Sequence, residues 1–538
     1  MTITVRPDSL GRLALVAPPG YLRAVGRLRA RDPQHSIGVP SGERSTRGAG
    51  ATRIVRTFAL LLLLAAPIWL RPAHAQSPAL LDMVNTLTAN GTFQFDALER
   101  QAAIANDTAY TKLQPICGAN ATSAATSGGC TGNTLTLYNR LRELEDNANE
   151  LLGNRGETQY SLRLDPLGMS DALRWTAPEE YAAQGSMASK FVNSQASVLT
   201  NRFSALRFAA QGIPLADGVS MGAGGNGFSY AYNGGALGGS AGADSGLFSR
   251  WSIFANGGFG SGEKSPTVFE DAFFFDSTEI SAGADVRLTN RLVVGILFGH
   301  TEKRIDFNSA RSVVDGSIRG NGQSAIAYAQ YDADALFANV ALGWQHLSLG
   351  TRRRITYPSN NPGVQSVDVT SLSNTGATAL IATLGAGYSF HYKGLTAEPY
   401  LNVQNVTTHI SAFVEHSDDG FDINTSSQSI QSLEGSLGLR TQYAILTPLG
   451  VIVPYVYGEY RHQFRDSSRN IASGYVGDGG GTDFVLPTDE PVKHYYVVGG
   501  GGSVVLKHGL QGFMQYARVL DYTNYTDHTV SGGVRWEF

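Results

Sequence analysis

The chain has 538 residues, of which 16% are charged, and it contains 63 Gly, 23 Tyr and 24 Phe. This length allows about three average domains, although one large β-barrel counts as a single domain. Residues 1–75 hold 11 of the 41 basic and 3 of the 45 acidic residues, so the rest has 30 basic and 42 acidic residues and a formal charge of −12. This negative charge argues against a function in nucleic-acid binding.

The N-terminal region carries the pattern of an export signal. A positively charged stretch precedes the apolar run 58–70, and Ala73-His74-Ala75 then supplies an A-x-A cleavage site. The apolar run is too short to span a bilayer. Residues 53–75 are therefore predicted to be a signal peptide for Sec export, with Gln76 as the first residue of the mature chain.

Upstream of this signal, residues 1–52 are Arg-rich, contain Pro and lack apolar periodicity. They are predicted to be an unstructured extension, either a misassigned start or an extended signal peptide. In both cases they take no part in the fold.

Helical periodicity marks the first exported segment, residues 76–177. Apolar residues recur at steps of three and four at Leu137, Leu141, Leu144, Ala148 and Leu151. Charged residues lie between them at Arg140, Arg142, Glu143, Glu145 and Asp146. The pattern predicts an amphipathic helix with a narrow apolar seam. We expect this seam to pack on neighbouring helices around Met83–Arg100 and Pro178–Ala209, since two heptads are too few for a free coiled coil.

Two cysteines, Cys117 and Cys130, flank a stretch rich in Ser, Gly, Ala and Thr. No histidine lies near them in sequence and their spacing is not C-x-x-C, which disfavours the alternative of a metal or redox pair. Because an exported segment folds in an oxidising compartment, we predict a structural disulfide between them.

A second helix is predicted over residues 178–216. Thr176 is placed to cap it, Pro178 takes an early position, and the acidic pair that follows favours the positive end of the helix dipole. Residues 217–246 then form a Gly-rich linker without a core-forming pattern.

About twelve strand-length runs fill residues 247–538, separated by clusters of Gly, Asn, Asp, Ser and Pro. One run alternates so that its second face carries Glu434 and Arg440. Charges on an inner face are costly in a packed core but ordinary in a water-filled lumen. The predicted fold is therefore a transmembrane antiparallel β-barrel of about 12 strands, with a mainly α-helical exported segment before it and a helix in its lumen. A soluble all-β protein is the alternative.

The connections between these runs have two lengths. Short ones such as Lys393-Gly394 alternate with the long polar stretches 358–375, 415–429 and 465–492. This asymmetry is typical of barrels with short periplasmic turns and long external loops.

The last run has the pattern of a closing strand in an outer-membrane barrel. Its residues alternate between an apolar and a polar face. One face carries Val530, Gly532, Val534, Trp536 and Phe538, and the other carries Thr529, Ser531, Gly533, Arg535 and Glu537. We expect the first face to meet lipid and the second a wet lumen.

Motifs of catalytic type occur only out of context. G-x-S-x-G at 238–242 and G-x-G-x-x-G at 222–227 lie in the Gly-rich linker, and neither follows a strand and opens a helix. Histidines in predicted strands are interpreted as lumen-facing or girdle residues: His300, His346, His409 and His462. No catalytic residue, metal or cofactor is predicted, and the chain is not expected to be an enzyme.

This order of parts resembles the monomeric autotransporters of Gram-negative bacteria, which use type V secretion. Local cues are Glu398-Pro399-Tyr400, residues 454–464 and the closing residues 527–538, and the resemblance extends from about 178 to the end. It implies that the upstream passenger reaches the cell surface and that the outer-membrane assembly machinery inserts the barrel by reading its final strand. The assembly signal would then comprise Ser531, Gly533, Val534, Trp536 and Phe538.

The sequence departs from this family in two respects. The exported part before the linker is short and helical, without a repeat of β-solenoid period. Some relatives cut themselves at an Asn-Asn pair in the lumenal helix, whereas Asn193 and Asn201 are well apart here and Asn360-Asn361 lies in a predicted surface loop. The chain is therefore expected to stay whole.

Two functional classes stay open. The first is a translocator in the cell outer membrane that displays its own helical passenger, with adhesion or another surface interaction as its role and an unknown surface ligand. The second is a helix-plugged pore that delivers no passenger. A surface hydrolase has no residues to support it. In both classes we expect a monomer in the outer-membrane bilayer.

The mature chain should begin at Gln76, because small residues at Ala73 and Ala75 form the cleavage site. N-terminal sequencing of protein extracted from outer membranes will test this. A start before residue 70 would show that the signal has been assigned wrongly.

Overall fold

The computed structural model describes residues 78–118, 130–188 and 251–537, with gaps at 308–313, 418, 466 and 507–509. It also describes residues 199, 202–204 and 206 and three short strands between residues 213 and 232. Several residues singled out above lie outside the described ones: Ala73, Ala75, Gln76, Asn193, Asn201, residues 238–242 and Phe538.

Four helices form the first folded part, which we call the helical cap. They are α1 (Leu80–Ala89), α2 (Ala97–Cys117), α3 (Gly132–Leu151) and α4 (Pro166–Thr176). The predicted seam of α3 is confirmed, since Leu137, Leu141 and Leu144 are fully buried. No helix among the described residues is long and apolar enough to cross a membrane.

The polar side of α3 differs from the prediction. Arg142, Glu145 and Asp146 are also buried, because α3 lies centrally and contacts the other three cap helices as well as the barrel loops. The guanidinium of Arg142 lies 3.7 Å from the ring centroid of Tyr160. The expectation of a solvated polar side was therefore wrong, since polar partners replace solvent around this helix.

Two helix starts in the cap are fixed by carboxylates. The backbone N–H of Ala79 donates to Glu145 Oε2 at 2.6 Å, and Asp107 accepts from the first N–H groups of α1. At α2, Asp96 and Glu99 form a reciprocal capping box. The segment around residues 83–100 therefore belongs to two helices, α1 and α2.

Twelve long strands close into one antiparallel barrel, as predicted. They are β4 (Trp251–Lys264), β5 (Phe273–Arg287), β6 (Leu292–Phe307), β7 (Asp315–Ala333), β8 (Leu336–Tyr357), β9 (Val367–Tyr388), β11 (Leu395–Ile410), β14 (Gln428–Tyr443), β16 (Gly450–Gln463), β19 (His494–Leu506), β20 (Leu510–Leu520) and β21 (Tyr525–Glu537). Short strands β10 (Phe390–Tyr392) and β15 (Ile445–Thr447) pair with β11 and β16. The last strand β21 pairs with β4, which closes the barrel and removes its edges.

The closing strand has the predicted alternation. Val534 and Trp536 are 57% and 52% exposed on the outside, whereas Ser531 and Arg535 are buried towards the lumen. The same alternation holds on β14, where Arg440 points inward and its guanidinium lies 3.8 Å from the ring centroid of Tyr455. The barrel therefore has an apolar outer face and a polar inner face.

The two ends of the barrel differ. At the short-turn end, Asp334 and Lys393 adopt positive φ in tight connections. At the opposite, long-connection end, β9 begins at Val367, so the loop expected over 358–375 spans only 358–366. Strands β8 and β9 continue to pair beyond the predicted limit, with Arg354 opposite Thr370.

A second sheet lies at the long-connection end, where only polar loops were expected. This mouth sheet has the order β12 (Phe413–Val414), β13 (Ile423–Thr425), β17 (Asn470–Tyr475) and β18 (Phe484–Pro487). Three further strands pair before β4: β1 (Ile213–Pro214), β2 (Val219–Gly224) and β3 (Gly227–Tyr232). Strand β1 lies inside the range predicted as helix, 178–216, so that prediction was wrong at its end, and β2 and β3 give part of the Gly-rich linker regular backbone structure.

We expect the cap to become more stable as the pH falls. Burial, followed by the neighbouring Asp107, raises the pKa of Glu145 well above its ordinary value of 4.5, and burial raises the pKa of Glu143 to about 6. The fold favours the neutral form of such groups. Their contribution to the free energy of unfolding is fully present below the ordinary pKa, and it is lost as the pH rises through the folded-state pKa.

Melting the full chain in detergent, followed by the helical circular-dichroism signal, should give a midpoint several degrees higher at about pH 5 than at about pH 8. Glu145→Gln should remove most of this difference by raising the midpoint at the higher pH. Glu157→Gln is the matched control, because the Glu157 side chain is 71% exposed. Equal pH dependence in all three proteins would contradict the prediction.

Candidate functional site: the barrel lumen and its mouth

One hydrophobic core joins the helical cap to the barrel mouth. The apolar residues of the cap pack with Tyr357, Phe421, Ile423, Tyr475 and Phe484 from the long-connection end. The Tyr475 and Phe484 ring centroids are 5.2 Å apart. The cap therefore cannot leave the mouth without exposing apolar surface from both parts.

The loop before β13 approaches α3 very closely. A Cβ added at Gly420 would lie 2.3 Å from the backbone nitrogen of Leu137. Because that atom is backbone and cannot rotate away, only glycine allows this approach. The contact is therefore specific to the docked position of the cap.

Polar contacts support the same junction. Lys112 of α2 reaches Asp478 at 2.7 Å and Asp483 at 2.6 Å in the loops beyond β17. Burial alone would lower the pKa of Lys112, but its hydrogen bonds to these two carboxylates raise it. Buried Tyr475 donates from its hydroxyl to Asn106 Oδ1 at 2.6 Å. Cap and mouth are thus joined by charge as well as by apolar packing.

The only Asn-Asn pair of the chain takes part in this docking. The backbone N–H of Asn360 donates to the Leu162 carbonyl at 2.8 Å, and the Asn361 side chain donates to the Ser161 carbonyl at 2.7 Å. The pair therefore lies in a loop that holds the cap, away from the lumen.

Arg174 connects three parts of the molecule. Its guanidinium contacts Asp96 of the cap at 2.6 Å, Asp271 of a barrel loop at 2.9 Å, and Glu179 at 3.2 Å where the chain leaves the cap. Burial alone would lower the pKa of Arg174, but Glu179, Asp271 and Asp96 raise it. Arg174 therefore fixes the point at which the chain turns from the cap into the barrel.

The N-cap predicted for the lumenal helix was wrong, although the helix begins close to the predicted Pro178. Thr176 is the last residue of α4, and its hydroxyl donates to the Leu173 carbonyl instead of capping a new helix. Helical structure resumes at residue 180, with Glu179 and Glu180 almost fully buried. The prediction failed because α4, capped by Asp165, already occupies this stretch.

The chain then enters the barrel as the lumenal segment, which comprises residues 180–188, 199, 202–204 and 206. Near the long-connection end, Gln184 donates to Thr351 at 2.7 Å and Arg469 donates to the Ala182 carbonyl at 3.1 Å. Tyr181 donates to Glu415. The upper part of the segment is therefore held by strands and loops on several sides of the barrel.

Glu415 also binds Arg353, the largest fully buried side chain among the described residues. The pair is bidentate, with both N–O distances 2.8 Å. Glu415 further accepts from the backbone N–H of Ile423 at 3.1 Å. This ion pair therefore connects β8, the mouth sheet and the lumenal segment.

The other end of the lumenal segment is held near the short turns. Leu199, Phe203 and Leu206 pack with inward residues of the barrel, among them Phe254 and Tyr328.

A second buried ion pair lies beside this packing. Arg202 pairs with Asp285, and both side chains are 3% exposed. Asp285 also accepts hydroxyl hydrogen bonds from Ser252 at 2.6 Å and Tyr328 at 3.0 Å. Together with the contacts at the mouth, these interactions place the segment along the length of the lumen.

The predicted site residues fall in different places. Cys117 and Cys130 form a disulfide with Cα atoms 5.1 Å apart at the ends of the segment between α2 and α3. Their oxidation in the exported protein stays a prediction. The four described members of the suggested assembly signal lie on β21, on both faces, and their role in assembly stays a proposal.

The histidines do not face the lumen. His300, His346 and His409 are exposed on the outer face, and His462 packs there against Phe464 with ring centroids 4.6 Å apart. The lumenal interpretation is therefore wrong for these residues, and the girdle interpretation stays a prediction. Within the described residues, no group of three or more His, Cys, Asp or Glu side chains is placed to hold a metal ion.

The ion pairs of the lumen were missed by the sequence analysis. Asp285 and Arg353 occupy inward positions of their strands, so the alternation of inward and outward side chains along each strand identifies them as lumenal. Their partners Arg202 and Glu415 carry no such signal, because they come from the lumenal segment and a loop.

The model of the family described as Autotransporter beta-domain matches residues 253–517. Among solved structures, the translocator domain of the autotransporter NalP from Neisseria meningitidis matches with 15% identity and a TM-score of 0.41, covering 54% of this chain and 88% of that chain. The beta domain of the Bordetella autotransporter BrkA matches with 15% identity and a TM-score of 0.38, covering 54% of this chain and 100% of that chain.

The transport unit of the autotransporter AIDA-I from Escherichia coli matches with 11% identity and a TM-score of 0.35, covering 54% and 90% of the two chains. These TM-scores are low, so the assignment is made on the family match and the closed barrel. No curated protein matches the sequence. The chain is therefore an outer-membrane protein that carries an autotransporter beta-domain.

Proposed function

We propose that this protein is an outer-membrane translocator that carries its own helical cap to the cell surface and keeps it docked there. The observation behind this proposal is the path of the chain. It passes from the cap at the long-connection end, through the lumen, to the short-turn end, where β4 begins. A chain that starts in the periplasm reaches this arrangement if the cap crosses the barrel.

The docked cap sets this protein apart from a translocator with an extended passenger. The cap and the mouth sheet share a core, and Arg174 and Lys112 add ion pairs across the junction. We therefore infer that the displayed part remains attached as a lid. Adhesion or another surface interaction is its expected role, and the proposal includes no catalytic step.

The second candidate is a plugged pore in which nothing is delivered. The dense contacts of the lumenal segment favour it, since Arg202, Gln184 and Tyr181 all bind barrel residues. The two functions differ in whether the cap reaches the outside of the cell.

Single cysteines labelled with a membrane-impermeant maleimide should separate the two functions. Glu157→Cys places a thiol on the exposed surface of the cap, and Asn290→Cys places one in an exposed short turn. On intact cells we expect labelling of Glu157→Cys alone, with Asn290→Cys labelled only after the outer membrane is permeabilised. The reverse result would contradict display of the cap.

Breaking the inner ion pair should open the lumen. Asp285→Ala leaves Arg202 buried without its carboxylate, a loss of about 3–5 kcal/mol for a buried pair, so the inner end of the segment should loosen. We expect a larger conductance in planar bilayers than for the unaltered protein. Asp368→Ala is the control, since it removes an exposed partner of Arg354 on the outer surface. Equal conductance of all three proteins would show that the pair does not hold the plug.

A further inference from the structure

Three arginines form a patch on the outer face of β6, β7 and β8 near the long-connection end. Arg304, Arg319 and Arg352 are exposed, while the residues on either side of them in sequence are buried. Arg304 lies directly opposite Arg319 in the strand register. Arg352 is two residues beyond Gly350, the partner of Arg319, and so is its diagonal neighbour. We call these residues the arginine patch.

Like charges in directly opposite positions of a sheet are destabilising, because such side chains start from Cβ atoms only about 4.5–5.5 Å apart. Diagonal neighbours are about 7–8 Å apart and remain within reach of long side chains. The patch thus places three guanidinium groups where they repel one another. An arrangement of this kind calls for an anion between them.

The acidic residues beside the patch contact other side chains or Arg304 alone. Arg304 contacts Asp306 at 2.7 Å. Asp315 and Asp368 both bind Arg354, and the exposed Glu302 lies 3.5 Å from the His300 imidazole. Arg319 and Arg352 make no ion pair or hydrogen bond with any residue that the structure describes.

The surface below the patch is apolar. The same outward rows continue towards the short-turn end through His300 and His346. They then reach a band of exposed apolar side chains at Ile296, Phe298, Leu342 and Trp344, which are 50%, 59%, 63% and 47% exposed. In an outer-membrane barrel such a band meets the acyl chains of lipids.

The patch lies beyond the apolar band, on the side of the lipid headgroups. Arg304 lies six residues beyond Phe298 on β6, and a strand rises about 3.3 Å per residue with a tilt of about 40°, so the patch is about 15 Å further along the membrane normal. Polar side chains occupy the level between, among them His300, Glu302, Asn321 and His346.

We propose that the arginine patch binds the phosphate of an outer-leaflet lipid, whose acyl chains lie on the apolar band of β6 and β8. Guanidinium groups bind phosphate oxygens in pairs of parallel hydrogen bonds, which suits a phosphate shared between neighbouring arginines. The bound phosphate offsets the repulsion between Arg304 and Arg319. The site is independent of whether the cap is exported.

Native mass spectrometry of the full chain in neutral detergent will test the proposal. The probes are phosphatidic acid, diacylglycerol with the same acyl chains, and inorganic phosphate. We expect phosphatidic acid to bind more tightly than either of the other two, because it alone offers both phosphate and acyl chains. Equal binding of diacylglycerol, or of inorganic phosphate, would overturn the lipid-phosphate site.

Substitutions locate the site on the patch. Arg319→Gln with Arg352→Gln should weaken phosphatidic acid binding by about tenfold or more, since contacts to charged groups are strong. Arg319→Lys with Arg352→Lys keeps the charge but loses the paired guanidinium hydrogen bonds, so its affinity should lie between those of the unaltered protein and the double Gln variant. Arg291→Gln, at the short-turn end, is the matched control and should bind as the unaltered protein does. Equal affinity of the unaltered protein and the double Gln variant would refute the proposal.

A second measurement guards against a folding defect. In neutral detergent alone, the double Gln variant should melt at least as high as the unaltered protein, because it relieves the repulsion with Arg304. After addition of phosphatidic acid the order should reverse. A double variant that melts lower under both conditions would show that the two arginines stabilise the barrel by themselves, and this too would overturn the proposal.

Discussion

Backbone hydrogen bonding is the constraint from which the rest of this structure follows. Hydrocarbon offers no partner for an N–H or C=O group, so strands in a bilayer must pair along both edges. The pairing of β21 with β4 meets this requirement and encloses a lumen. Inward side chains are then free of lipid, which is why Asp285, Arg353 and Arg440 can be charged. A chain inside that lumen can bind the barrel through ion pairs.

Those ion pairs are better understood as positioning devices than as sources of stability. A buried pair gains little over an apolar substitute, but loss of one partner is costly. Arg202 with Asp285 and Arg353 with Glu415 therefore penalise displacement of the lumenal segment at either end. Arg174 does the same where the chain leaves the cap. Apolar packing alone would permit more sliding along the lumen.

The predictable features are those with a long, uninterrupted period. Twelve strands, the faces of β21 and the seam of α3 follow from periods of 2 and 3.6 residues. The mouth sheet was missed because its strands are short and depend on partners far away in sequence, as when Ile423 pairs with Tyr475. The burial of Glu145 likewise depends on α1. The break between α1 and α2 was detectable, since Asp96 and Glu99 have the spacing of a capping box.

The disulfide of the cap has a practical consequence for protein engineering. Cys117 and Cys130 end a stretch of Ser, Gly, Ala and Thr, and the bond between them joins its two ends covalently. The two ends of a foreign peptide placed between them would be held close together on the scaffold, whatever the length of the peptide. Small polar stretches of this kind accept insertions well. If the cap is exported as proposed, residues 119–129 are a suitable place to graft antigens or binding peptides for presentation on living bacteria.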